Sequence, residues 1–281
     1  MEVSLPCGRC WGCRLEYSRQ WAVRCVHEAS LHKNNSFITL TFNNENLPKN
    51  HSISKKDLQK FFKRLRKKMS PETMRYYACG EYGERNNRPH YHAIIFGYDF
   101  PDKQLYTVND GIALYRSKTL ESCWKYGFST IGEVTFESCA YVARYVMKKR
   151  KGDDDTEDKN GKTNKQHYEL LDEKTGEIHQ LEPEFCLMSR KPGIGSDWLL
   201  KYKSDTDKDF ITLRGVKMKL PKFYDMMLEK IESKEEHIKR KNRRKMSIHV
   251  NKEEHTDERL RVKEKVKKAQ LNQLKRGYET I

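Results

Sequence analysis

The run Arg88-Pro89-His90-Tyr91-His92, continuing into Ala93-Ile94-Ile95-Phe96, leaves the local backbone few choices. Its aromatic and β-branched residues favour an extended strand. Successive side chains of a strand alternate faces, so His90 and His92 point the same way, about 7 Å apart. Tyr91 and the residues after it give the opposite face something apolar to bury. Two imidazoles on one face suit a shared metal ion, although most histidines are not ligands.

Two further strands are legible nearby. Phe37-Ile38-Thr39-Leu40-Thr41-Phe42 is rich in β-branched and aromatic residues and closes on the turn-forming Asn43-Asn44. Tyr76 to Glu81 reads as another, joined to the histidine strand by a polar loop from Gly83 to Pro89. Sequential strands on so short a connection pair antiparallel, which sets Glu81 across the hairpin from the histidines. Two imidazoles and one carboxylate form a divalent-metal set that leaves coordination positions open.

Helices are expected over about Arg14 to Ala29, after Ser54, and over about Thr135 to Arg150. Ser54 with Asp57 resembles a capping box, and Leu58, Phe61, Phe62, Leu65 and Met69 then form an apolar stripe. In the third helix Phe136, Cys139, Ala140, Ala143, Val146 and Met147 make the stripe. At ~100° per residue, Tyr141 and Tyr145 fall off it, one turn apart and beside Lys148. Between Gly97 and Glu133 only a short helix at Thr119 to Lys125 and a strand at Gly127 to Val134 are readable. Tyr168 to Ile178 suggests a hairpin, and Phe185 to Tyr202 a turn-rich loop before a short helix at Asp197 to Lys203.

Charge narrows the partner. The 281 residues carry 56 Lys and Arg against 40 Asp and Glu, a formal net charge of +16, which favours nucleic acid and, second to it, an anionic membrane surface. No stretch approaches ~18 consecutive apolar residues, and the first residues lack a signal-peptide pattern, so a soluble intracellular chain is expected. Cys7-x-x-Cys10-x-x-Cys13 with Cys25 offers four thiolates for a structural zinc staple. An iron–sulfur cluster would want a Cys-Pro ending that is missing, and reduced thiols with a buried Cys25 are the third reading. Six of the seven residues from Lys239 to Lys245 are basic. Segments are expected at 1–30 (cysteine-containing), 31–150 (core), 151–167 (charged, flexible), 168–220 (accessory) and 221–281 (basic, helical).

A tyrosine hydroxyl is a poor nucleophile at neutral pH because its pKa lies near 10. A metal ion beside it polarises a target phosphate, and attack leaves a phosphotyrosyl link that a free 3′-hydroxyl can reverse. Such a site cuts and rejoins a DNA strand without ATP, and a second tyrosine can make the next cut.

In this order, the strand Phe37–Phe42, Glu81 with Arg88 to His92, and Tyr141-Val142-Ala143-Arg144-Tyr145-Val146-Met147-Lys148-Lys149 resemble the three motifs of the His-hydrophobe-His (HUH) endonucleases. Pro6 to Glu16, Arg19 to Cys25 and Met188 to Gly195 resemble the replication initiators of gokushovirus-type microviruses. The resemblance implies an α+β fold with an antiparallel central sheet, helices on one face and the metal site on the other, plus a basic helical extension. It implies Mg2+ or Mn2+ on His90, His92 and Glu81, nucleophiles at Tyr141 and Tyr145, and Lys148 as an assisting cation. Arg88, Arg144 and Lys149 are then expected to contact DNA. The partners implied are single-stranded origin DNA and a host helicase and polymerase in the bacterial cytoplasm, with no membrane. The competing expectation is a non-enzymatic protein that binds or packages single-stranded nucleic acid. A two-histidine, one-carboxylate iron oxygenase would leave the paired tyrosines and the charge without a role.

Overall fold

The computed structural model describes residues 7–8, 10–83, 87–145, 149, 155, 157, 161–172, 175–250 and 252–272. Its centre is a seven-stranded antiparallel sheet of β1 (Asn35–Phe42), β2 (Arg75–Tyr82), β3 (Pro89–Phe96), β4 (Gln104–Asn109), β5 (Ile112–Arg116), β6 (Gly127–Gly132) and β9 (Phe185–Met188). The spatial order is β4-β5-β6-β1-β3-β2-β9, so the histidine strand β3 lies inside the sheet between β1 and β2. Two small hairpins stand apart: β7 (Glu169–Leu171) with β8 (Ile178–Gln180), and β10 (Phe210–Leu213) with β11 (Val216–Lys219).

One face of the sheet packs on α2 (Lys55–Met69) and α3 (Lys118–Cys123). Ser54 caps α2 by accepting from the Asp57 amide at 3.4 Å, and Leu58, Phe61, Phe62, Leu65 and Met69 are the buried positions, the stripe expected from the sequence. They meet Ile38, Leu40, Tyr91, Ala93 and Ile95, which alternate on this side of β1 and β3. The Tyr91 hydroxyl accepts from the Ser54 amide (2.8 Å) and donates to the Ser54 carbonyl (3.2 Å), tying the middle of the His-Tyr-His run to the start of α2.

The α+β class and the antiparallel sheet are as expected, but helices cover both faces rather than one. α1 (Trp11–Ala29) and α4 (Phe136–Arg144) pack together on the second face, over Phe37, Tyr77, Cys79, Ile94 and Phe96. The cause is visible in the alternation of the strands: both faces of β1 and β3 carry apolar residues, and each needs cover. The sequence-expected loop at Phe185 contains an edge strand, β9, paired with β2.

The short α5 (Asn164–His167) leads into β7, and a third cluster lies on the outer side of α1. Val23 packs with Trp198 and Leu199 of α6 (Ser196–Lys201), with Ile211 and Leu220, and with Tyr224 and Leu228 of α7 (Lys222–Ile231). α8 (Lys234–Val250) and α9 (Asp257–Asn272) follow, and Arg240 of α8 pairs with Glu232 and with Asp209 at 2.8 Å. Much of the positive charge that the sequence places here is therefore locally compensated.

His27 on α1 stacks on Trp198, ring centroids 3.5 Å apart, and its Nδ1 meets the Tyr224 hydroxyl at 3.0 Å. Burial pushes its pKa down to about 3. Because the folded pKa lies below the unfolded value of about 6.5, stability is intact above that pH and is lost as the pH falls toward 3. Denaturant titrations should show wild type losing up to about 1.4 kcal/mol per pH unit more than His27→Phe below pH ~6. Parallel slopes would refute this account of His27.

Candidate metal and tyrosine site

Register builds the site. Thr41 of β1 and Glu81 of β2 stand opposite His90, while Thr39 and Cys79 stand opposite His92. Opposed residues project to the same face, so the carboxylate and both imidazoles converge beneath α4. Glu81 Oε1 lies 2.7 Å from His90 Nε2 and 3.0 Å from His92 Nε2. The far side of each ring is also held: His90 Nδ1 lies 3.0 Å from the Arg88 carbonyl, and His92 Nδ1 3.0 Å from Thr39 Oγ1.

These contacts bear on protonation. A carbonyl only accepts, so His90 Nδ1 carries a proton and the neutral ring turns its Nε2 lone pair toward Glu81. Burial would raise the Glu81 pKa, but hydrogen bonds from His90 and His92 outweigh it and hold the carboxyl well below the usual range. Two nitrogens and one carboxylate oxygen, all within 4.8 Å of one another, make a donor set that fits a divalent cation. A backbone carbonyl or hydroxyl behind each imidazole is the usual way ligand rings are oriented.

The tyrosines face this set. The Tyr145 ring lies parallel to His92 at 5.2 Å, and the Tyr141 ring meets His92 edge-on, also at 5.2 Å. Their own centroids are 5.0 Å apart, and Phe37 flanks His92 on another side. The sequence-expected orientation of histidine face toward tyrosine face is present. Their expected place off the core is not: both are only 4% exposed and belong to the buried cluster under α1 and α4. The reason is that α4 is wedged between α1 and the sheet, so the side opposite its apolar stripe is covered too. Tyr145 caps the helix after Arg144, which ends it short of the expected Arg150; residues 146–148 and 150, Lys148 among them, lie outside the described residues.

The remaining expected residues divide. Arg88 donates to the Phe42 carbonyl at 2.8 Å and to Asn44 Oδ1, bracing the end of β1 beside His90. Arg144 is half-buried at the last position of α4, and the Lys149 carbonyl accepts from Arg14 at 3.2 Å. Thr39, the partner of His92, went unread in the sequence, although Thr39 and Thr41 are the polar positions that alternate through β1.

Cys7, Cys10 and Cys13 gather at the start of α1, with Cys7 and Cys13 sulfurs 3.9 Å apart and the Cys10 amide donating to Cys7 Sγ at 3.3 Å. Cys25 does not join them. It stands on the same helix as Cys13, about 18 Å along at ~1.5 Å per residue, and is fully buried in the core.

Known proteins resemble this chain. A family model described as a replication-associated protein of the ORF2 type matches residues 35–150. The replication-associated protein VP4 of Bdellovibrio phage phiMH2K is 32% identical over 233 residues, 79% of this chain and 67% of that one. The replication-associated protein ORF2 of Spiroplasma virus 4 is 34% identical over 241 residues, 81% and 68% of the two chains. The replication-associated protein ORF4 of Chlamydia phage 1 is 35% identical over 153 residues, 52% of this chain and 38% of that one. No solved structure matches.

Burial, the nearby charge of Glu81 and a side-chain hydrogen bond with Tyr141 all raise the Tyr145 pKa well above the ordinary phenol value. Ultraviolet difference titration of wild type against Tyr145→Phe should therefore show no phenolate step assignable to Tyr145 up to about pH 10. A step at or below that pH would contradict the buried placement.

Proposed function

The chain belongs to the ORF2-type family of replication-associated proteins, and we propose that it starts rolling-circle replication by nicking single-stranded DNA through a tyrosine nucleophile. The observation that carries this reading is the contact of both tyrosine rings with His92, whose Nε2 reaches the Glu81 carboxylate.

In this scheme the phenolic oxygen of Tyr141 or Tyr145 attacks phosphorus and the bond from phosphorus to the 3′ oxygen breaks. The 5′ phosphate stays on the tyrosine, and the 3′ oxygen leaves as a hydroxyl after gaining a proton. Glu81, His90 and His92 would hold Mg2+ or Mn2+, which supplies charge stabilisation to the phosphate. The raised pKa keeps Tyr145 protonated at rest, so its proton leaves as the new bond forms. Arg88, Arg144, Lys148 and Lys149 are assigned to hold the phosphate backbone, and Lys148 to assist at the reacting phosphate. While one tyrosine carries the 5′ end, the other makes the next cut, and the released 3′-hydroxyl attacks the first link to close a circle. Unwinding and copying fall to a host helicase and polymerase in the bacterial cytoplasm. Among the described residues no helix is long and apolar enough to cross a membrane.

A second metal is supported by the thiolates. Tetrahedral zinc with bonds of about 2.3 Å sets sulfurs about 3.8 Å apart, close to the 3.9 Å between Cys7 and Cys13. An iron–sulfur cluster spreads its thiolates over several irons and would hold them further apart. We infer a structural zinc on Cys7, Cys10 and Cys13, without Cys25.

Single-stranded oligonucleotides tiling the genome that encodes the chain, incubated with protein and Mn2+, should give a covalent adduct on a denaturing gel. The Tyr141→Phe, Tyr145→Phe double variant should give none, and His90→Ala with His92→Ala should lower the yield at least ~100-fold. Tight binding without any adduct would instead favour a non-enzymatic single-stranded-DNA-binding or packaging protein.

Metal analysis of the purified full chain should find one zinc released by thiol modification, reduced by Cys13→Ser and unchanged by Cys25→Ala. Zinc absent from the wild type, or indifferent to Cys13→Ser, would remove the staple.

A further inference from the structure

The sheet face that bears the histidines carries one more row of interest. Register aligns Phe128 of β6, Thr41 of β1, His90 of β3 and Glu81 of β2 across four strands. Phe128 thus stands on the same face as His90, two strand spacings or about 10 Å away. It is 49% exposed, whereas Phe37, Phe42, Tyr91 and Phe96 on the neighbouring strands are buried. A lone exposed phenylalanine would need no account. This one borders a cavity of about 480 Å³, lined also by Thr41, Asn43, Asn44, Glu45 and Arg88.

The cavity walls are braced. A Cβ at Gly127 would lie 2.3 Å from the Asn43 nitrogen and 2.4 Å from the Thr41 carbonyl oxygen, so only glycine lets β6 come this close to the end of β1. The Asn43 amide donates to the Tyr126 carbonyl at 2.9 Å. From the other side Arg88 holds Phe42 and Asn44. The aromatic ring, the guanidinium and the two side-chain amides are therefore presented at fixed spacing beside His90.

The chemistry of the lining selects its occupant. The Glu45 carboxylate disfavours a phosphate inside, while amide groups and a carboxylate suit the donors and acceptors of a base edge. An exposed phenylalanine offers a π-face on which a base can stack, and single strands present unstacked bases for this. The volume lies within the range of small-ligand sites and accommodates a nucleobase with its sugar.

We propose that Phe128 is a stacking platform for a nucleobase flanking the phosphate held at the histidines, with Asn43, Asn44 and Glu45 reading its edge. This rests on the reading of that face as the one that cuts DNA. Arg88 then acts twice, as the brace of the cavity and as a positive charge where the strand passes toward His90. Phe128 is a positioning residue, since the ring touches the base and not the reacting atoms.

The test is binding by the full chain, read by fluorescence anisotropy with two labelled probes of equal length. One is a twelve-nucleotide oligothymidine, and the other is the same sugar–phosphate chain without bases. Phe128→Ala should weaken oligothymidine binding about tenfold or more, within the range for loss of one stacked base, and leave the base-free chain unchanged. Phe128→Trp should restore the preference for bases. The platform is overturned if Phe128→Ala binds oligothymidine like wild type, or weakens both probes equally. Covalent-adduct assays run in parallel separate the two readings. Base-dependent binding that needs Phe128 in a protein forming no adduct would sink the nicking reading alone. Adduct formation with binding indifferent to Phe128 would sink the platform alone.

Discussion

The pleat of β3 is the constraint on which the site depends. Its alternation sends His90 and His92 to one face and Tyr91 to the other, and both directions are committed. Tyr91 is buried and hydrogen-bonded in both senses to Ser54 at the start of α2. A one-residue slip would put imidazoles into the apolar layer and a tyrosine at the carboxylate, so register is enforced from both faces at once. β1 and β2 pair along nearly the whole strand and supply Thr39 and Glu81 at the matching positions.

Burial raises the stakes of that arrangement. Glu81 is fully buried and His92 nearly so, and the charge of the carboxylate is compensated by the two rings. Breaking a buried pair by removing one partner strands the other charge, which costs far more than the pair contributes when intact. The α1–α4 layer that excludes water also strengthens every electrostatic contact beneath it. The same layer holds the phenols protonated, so the site is assembled but at rest.

Much of this was legible in the sequence, for reasons that differ by element. Strand period and β-branched content marked β1, β2 and β3, and the hairpin geometry alone placed Glu81 opposite His90. The cap and stripe of α2 were equally plain. The burial of Tyr141 and Tyr145 was not, because helical periodicity reports one favoured face and α4 is covered on two. Cys25 was misassigned by counting thiols without measuring the helix that separates them. β4 and β5 escaped because Gln104–Asn109 is half exposed and polar, and β9 because pairing with β2, not local preference, makes Phe185–Met188 a strand. Phe128 needed register: only the alignment through Thr41 shows that it shares a row with His90.

The connection from β6 to α4 has a consequence for how such a gene can vary. Only Glu133, Val134 and Thr135 separate the last strand residue, Gly132, from the helix. Thr135 is already locked in a reciprocal cap with Ser138, at 3.2 and 2.9 Å. Residue identities here can drift while the cap and the tyrosines persist. A codon gained or lost inside the helix, by contrast, would rotate all that follows by ~100° and carry Tyr145 away from His92. The segment between Gly132 and Tyr145 thus behaves as a molecular ruler, tolerant of spelling and intolerant of length.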